Sequence, residues 1–389
     1  MTRKLYYEDQ YTKTFRSAVV KQAEEAGRPY AVLEETAFYP EGGGQPSDTG
    51  TLDGVRVMEV KEEEGEIRHF LEHPLKVKEA EGKVDWERRF DHMQQHSGQH
   101  ILSAAFRHVL GIDTDAFHLG TEISTIDLSA ESLTEEMAEQ AESWANGIIF
   151  SNKPIQAVWV KKEELEQYPL HKQPAVEDNI RLVIIPEVDY NGCGGTHPNR
   201  TGETGIIKIL NWEKHKKMTR VQFVCGGRVI RQLGQKQRVL LTLIQTMNSP
   251  EANLPEAAVK LLNAQKDTAK ELAEAKDRLL EFEAEKAADS ADGIVALSFE
   301  NRPLQELQKL GRLIAAKGPV CLLTVKNGGL VQFFAAKNQE HPANLRKMSK
   351  EVLDAIGGKG GGSELALQGG GESALAAGDL LALMKKSIS

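Results

Sequence analysis

Two short histidine motifs, almost a hundred residues apart, constrain the fold of this chain most. His96 and His100 are four apart in HSGQHILSAAF, and Cys193 and His197 are four apart in NGCGGTHP. The apolar spacing of Ile101, Leu102, Ala105 and Phe106 predicts a helix around the first pair. Both imidazoles then project from one helical face, one turn apart. The second pair lies among glycines, where backbone can wrap round an ion. Together, imidazole and thiolate suit zinc, which favours four nitrogen and sulfur ligands. Any fold for this chain therefore has to bring a helix and a distant loop to one point, with one zinc ion per chain.

Composition narrows the remaining options. A length of 389 residues exceeds one typical core, so several domains are expected. Hydrophobic residues make up 40% and charged residues 27%, ordinary for a soluble protein. No apolar run is long enough to span a bilayer, and MTRKLYYEDQ lacks a signal-peptide core. Three cysteines argue against a disulfide framework and for a cytoplasmic location, with Cys225 and Cys321 expected as buried small hydrophobes. Net charge is −9, yet the chain from residue 291 onward holds 12 Lys/Arg against 9 Asp/Glu. A mildly basic tail on an acidic body allows a local polyanion contact.

Pattern divides the chain into four parts, giving an α+β multidomain fold. Residues 1–85 read as a small β-barrel of short strands, among them Tyr30–Glu34, Val55–Lys61 and Glu66–Leu71, interrupted by a Gly-rich loop in FYPEGGGQPSDTG. Residues 86–226 mix helix and strand as a zinc-binding α+β domain with an antiparallel sheet. There SLTEEMAEQAESWANGIIFSN reads as an acidic amphipathic helix capped by Ser132, with Glu135 three residues on. Residues 227–289 form a helical spacer, broken by Pro250 and Pro255, with Thr268, Leu272, Ala275, Leu279 and Phe282 in a short heptad-like stripe. Residues 290–389 alternate strand and helix as a compact α/β module. Within it, GGKGGGSELALQGGG reads as a glycine loop whose amides, with Lys359, can approach phosphates.

Zinc with an open position polarises a carbonyl and activates water, which is hydrolytic chemistry; four protein ligands instead close the shell. Spacing alone leaves both open. The chain has no HExxH glutamate and no P-C-x-x-C deaminase signature.

The His-x-x-x-His helix, CGGTHP followed by TGETGIIKI, and AFYPEGGGQPSDTG together resemble the freestanding alanyl-tRNA editing proteins in their long form, relatives of the editing domain of alanyl-tRNA synthetase. GGKGGG and LQGGGE near the C-terminus resemble the C-terminal module of that synthetase, shared with the DHHA1 group. The synthetase's aminoacylation domain has no counterpart here. The resemblance implies a hydrolase that removes serine, or glycine, from mischarged alanine tRNA. It carries the zinc ligands onto His96, His100, Cys193 and His197, with no catalytic residue beyond a zinc-bound water. The Gly-rich loop carries over to Gly42, Gly43, Gly44 and Gln45 as substrate contacts. DAFHLGTEISTIDL lies where the amino-acid pocket is expected, with His118 and Thr125 as candidates, and Lys359 is a candidate tRNA contact. His92, one turn before His96, lies outside the motif and reads as a surface or supporting group. A homodimer through the spacer and C-terminal module is a further expectation. Two other readings compete: a tRNA-binding protein with purely structural zinc, and a DHH-type phosphoesterase. The second needs an Asp-His-His motif, and Asp91–Met93 lacks the second histidine.

Overall fold

A computed structural model describes residues 2–172 and 179–388. The chain divides into two compact units, Met1–Thr242 and Leu243–Ser389. Each is a mixture of helix and sheet.

The first unit begins with six strands that close into a barrel in the order Thr14–Glu25, Arg28–Leu33, Glu66–Leu71, Val55–Glu63, Gly50–Leu52, Glu79–Val84. Alternation along the strands turns Phe15, Leu33, Leu52, Val57, Val60 and Ile67 into its core. Between Leu33 and Gly50 the chain leaves the barrel wall and carries the Gly42–Gln45 segment outward.

Next comes the long helix Trp86–Leu110. Asp85 caps its start by accepting from Arg88 N–H, and Gly111 ends it in the left-handed region at φ +67°. Ile101, Leu102, Ala105 and Phe106 bury one face against the helix Glu135–Phe150 and a four-stranded antiparallel sheet. The sheet order is Ile207–His215, Met218–Cys225, Ser124–Leu128, Thr114–Leu119. The second helix is capped by Thr134, which accepts from Met137 N–H at 3.2 Å, and not by Ser132. Leu133 is buried against the core, so its burial places the following hydroxyl at the helix start.

Two features tie the long helix to its surroundings. The Arg89 guanidinium, fully buried, pairs with the buried Asp48 just past the Gly-rich segment. Removing one partner of such a pair costs about 3–5 kcal/mol. On the opposite side Gly98 lets Cys225 approach, since a Cβ there would lie 2.1 Å from the Cys225 Sγ. A second antiparallel sheet, Gln156–Val160, Ile180–Ile185, Asp189–Gly192, leads into the loop that carries Cys193.

The helix Gly227–Met247 follows. Pro250 falls in the break after it, whereas Pro255 sits in the first turn of Leu254–Asp289 and starts that helix. The C-terminal sheet runs Ile294–Glu300, Val320–Asn327, Leu330–Ala336, Ala366–Glu372, Lys359–Gly362. Only its first pair is parallel. Helix Leu304–Ala316 packs one face, and Leu345–Ile356 with Ala377–Ile388 packs the other. Cys321 is buried here, as Cys225 is in the first unit.

The glycine run at 357–371 corrects the loop expectation: it forms the edge strand Lys359–Gly362 and most of its interior neighbour Ala366–Glu372. Glycine is needed for close packing. A Cβ on Gly369 would meet Phe333 at 2.8 Å and Leu353 at 2.7 Å, and one on Gly360 would meet the Gln368 carbonyl at 2.4 Å.

Candidate metal centre

The long helix and the Cys193 loop meet as the spacing requires. His96, His100, Cys193 and His197 bring their ligand atoms within 4.8 Å of one another, a group that could hold a metal ion. The Cys193 Sγ lies 3.4 Å from His96 Nε2 and 3.3 Å from His197 Nε2. The three histidines are buried and Cys193 is partly so.

Each imidazole is oriented through its other nitrogen. His96 Nδ1 faces Gln45 Oε1 at 3.0 Å, His100 Nδ1 faces Asp189 Oδ2 at 2.8 Å, and His197 Nδ1 faces Ser97 Oγ at 2.8 Å. Amide and carboxylate oxygens only accept, so His96 and His100 carry Nδ1–H and leave the Nε2 lone pair for the ion. The loop is held as firmly. Arg181 donates to Cys193 O and Gly195 O, both at 2.8 Å. A Cβ on Gly195 would lie 2.2 Å from the His96 ring, so only glycine fits there.

Charge in the metal-free cluster is unevenly shared. Burial opposes a charge on His100, but Asp189 and Cys193 outweigh it and lift the imidazole to about 10. Burial lowers His197 to about 3. For Cys193 burial again opposes ionisation, yet the three imidazoles hold the thiol well below its ordinary value. Both shifts favour the thiolate–imidazolium form of Cys193 and His100, whose proton an ion displaces.

A cavity of about 360 Å³ opens beside the ligands. Gly43, Gly194 and Phe117 form part of its wall, and Ser103, Arg107 and Thr114 line its polar side. Gln99 Nε2 donates to Ser103 Oγ at 3.0 Å, and Thr114 Oγ1 donates to the same oxygen at 2.9 Å. Phe117 stacks on His96 with ring centroids 5.4 Å apart.

Similarity to known proteins places the chain. The Threonyl and Alanyl tRNA synthetase second additional domain matches residues 180–221. Alanyl-tRNA editing protein AlaX-L of Pyrococcus horikoshii is 33% identical over 387 residues, covering 95% of this chain and 94% of its own. This chain belongs to the alanyl-tRNA editing protein family. Alanyl-tRNA editing protein Aarsd1 of Mus musculus is 32% identical over 87% of this chain and 84% of its own. The Alanine--tRNA ligase of Pyrococcus furiosus is 31% identical over 95% of this chain, which spans 42% of that relative. The crystal structure of the C-Ala domain from Aquifex aeolicus alanyl-tRNA synthetase matches 24% of this chain and 87% of its own, at 24% identity with a TM-score of 0.23.

In this member of the editing family the other site candidates fall in different places. Gly42–Gln45 is a tight turn with reciprocal backbone hydrogen bonds and φ of +57° at Gly43 and +81° at Gly44. Positive φ at both central residues is the type I′ geometry. Gly43 reaches the cavity. Gln45 is spent inside the protein: Oε1 accepts from His96 and Thr196 N–H, and Nε2 donates to Thr196 Oγ1. It positions a ligand, where a substrate contact was expected. His118 and Thr125 oppose each other across neighbouring strands, His118 exposed, and neither lines the cavity. Pleating turns Phe117 to the site and His118 away. Lys359 is exposed on the edge strand of the second unit.

His92 is buried, against the surface reading, and burial lowers it to about 3. Asp91 pairs with the buried Arg228 at 2.6 Å, so it serves packing and supplies no phosphoesterase carboxylate. No described helix is long and apolar enough to cross a membrane. Sequence reasoning missed Asp189, Ser97, Thr196 and Arg181. Ser97 and Thr196 sit inside the two motifs, but nothing in a motif says which neighbour turns toward a ligand.

Proposed function

We propose that this protein removes serine from mischarged alanine tRNA, using one zinc ion held by His96, His100, Cys193 and His197. Family membership supports hydrolysis of an aminoacyl ester, and the cluster of ligands beside an open cavity supports its place. The donor set is right for zinc: tetrahedral bonds of about 2.1 Å to nitrogen and 2.3 Å to sulfur demand ligand separations near those of Cys193 with His96 and His197. A zinc ion held by these four residues would supply Lewis-acid chemistry to the ester carbonyl by taking on a fifth ligand. The protein supplies the rest. Gln45 and Asp189 hold His96 and His100 in the Nδ1–H tautomer, and Ser97 orients the His197 ring. The Gly42–Gly44 turn and Gly194 shape the rim against which the terminal adenosine lies.

Serine differs from alanine by one hydroxyl, which packing alone reads poorly and buried hydrogen bonds read well. The Gln99–Ser103–Thr114 string offers such partners in the cavity wall, and Arg107 offers charge nearby. Glycyl ester is a secondary substrate. The tRNA contacts extend to the C-terminal module at 290–389, DHHA1-like, with Lys359. In this reading a barrel at 1–85 and a zinc domain at 86–226 form the editing site, and a spacer at 227–289 links them to the C-terminal module. The exposed Ile230, Leu233, Leu262, Leu272, Leu279 and Phe282 on the spacer helices support self-association as a homodimer. A cytoplasmic location, with its tRNA, goes with this reading.

Incubation with seryl- and alanyl-charged alanine tRNA tests the reading. Seryl ester is expected to disappear faster by up to roughly 10⁴-fold, and Thr114→Val to narrow that ratio. Binding of tRNA without loss of either ester would instead mark a structural metal site.

A further inference from the structure

We infer that Trp159 is a stacking platform for a base of the single-stranded RNA 3′ end, next to the nucleotide whose ester lies at the metal centre; this rests on the editing reading. Strand pairing places it. Trp159 lies opposite Arg181, and Cys193 N–H extends the row by donating to Arg181 O at 3.0 Å. At about 4.8 Å per strand, two steps put the Trp159 backbone roughly 10 Å from that of Cys193. A dinucleotide of extended single strand bridges that distance.

Pleating decides which way the indole points. Val158 and Val160 turn to a small core on one face, so Trp159 turns to the other and is 55% exposed. The chain has four tryptophans, and Trp86, Trp144 and Trp212 are each more covered. Exposing the largest side chain type, on an ordered strand in register with the ligand loop, needs a reason. The strand does not leave the ring loose. Tyr7 meets it edge to face, centroids 5.5 Å apart and planes at 80°. Tyr7 is in turn fixed by its hydroxyl, which donates to Gly194 O at 2.9 Å, and by the Arg181 guanidinium 4.8 Å over its ring. Gly194 lines the cavity, and Arg181 holds the Cys193 and Gly195 carbonyls. Indole, phenol, guanidinium and ligand loop thus form one continuous support.

A base on an aromatic face gives affinity without reading sequence, since every base has a π-face. Loss of one such stack weakens binding by roughly 5- to 150-fold. The platform would hold the strand in register while the cavity reads the amino acid.

The test uses full-length protein. Titration with a short uncharged RNA ending in CCA is expected to quench tryptophan fluorescence, and Trp159→Phe to abolish most of that quenching. In deacylation of seryl-charged alanine tRNA, Trp159→Ala and Trp159→Leu are expected to raise KM about tenfold with kcat within a few fold. Trp159→Phe is expected to restore most of the loss, with metal content unchanged in all three. An unchanged KM in Trp159→Ala, or leucine performing as well as tryptophan, overturns the platform. Absence of deacylation by the wild type overturns the editing reading instead, and the CCA titration then still decides whether Trp159 stacks on RNA.

Discussion

His100 shows how single residues set the behaviour of the metal cluster. Its imidazole is raised from the ordinary value to about 10, burial opposing and Asp189 with Cys193 prevailing. A group raised in the folded state stabilises the metal-free protein fully below its unfolded pKa. That contribution fades as pH climbs through about 10. Metal loading has the opposite sign. An ion must displace the His100 proton, while the Cys193 thiol is held well below its ordinary value, so affinity rises with pH up to the same point. Calorimetric zinc titration near about pH 8, in buffers of different ionisation heat, is expected to show close to one proton released. His100→Gln is expected to lose that release. An unchanged release in the variant would place the displaced proton elsewhere.

Among the elements, the Gly42–Gln45 turn carries the clearest consequence. Gly43 has φ +57° and open space where its Cβ would stand. A β-branched residue is strained there by about 1–3 kcal/mol, whereas asparagine tolerates the left-handed region. Gly43→Val is therefore expected to lower both thermal stability and deacylation. Gly43→Asn is expected to keep the melting temperature and still slow turnover, because it places a side chain at the cavity rim. Wild-type turnover in Gly43→Asn would make the turn purely structural.

That turn was legible as a glycine cluster and the ligand helix as an apolar period, since both are local signals. Other elements were not. The C-terminal glycine run gave no strand signal, because Gly360 and Gly369 answer to the packing of Leu353 and Phe333. Gln45 and Asp189 looked like ordinary polar residues. Their roles come from a tertiary approach to His96 and His100 that no spacing encodes. The cap fell on Thr134 and not Ser132 because Leu133 is buried.

At the scale of the whole molecule the ligands all lie in the unit Met1–Thr242, and the mildly basic module lies in Leu243–Ser389. Truncation after Thr242 leaves the cluster whole. It is expected to raise KM for tRNA and to flatten the salt dependence of binding, as phosphate contacts are lost. The rate at saturating substrate is expected to stay within a few fold. Unchanged KM at low and high salt would withdraw tRNA binding from the second unit. The central claim, that the four-ligand cluster performs ester hydrolysis, has a more direct test. Seryl-charged alanine tRNA is incubated with chelator-stripped protein, with the same protein reloaded with zinc, and with a Cys193→Ala variant given the same zinc. Ester loss is expected only in the reloaded wild type, in proportion to zinc bound; full activity in the stripped protein would contradict the account.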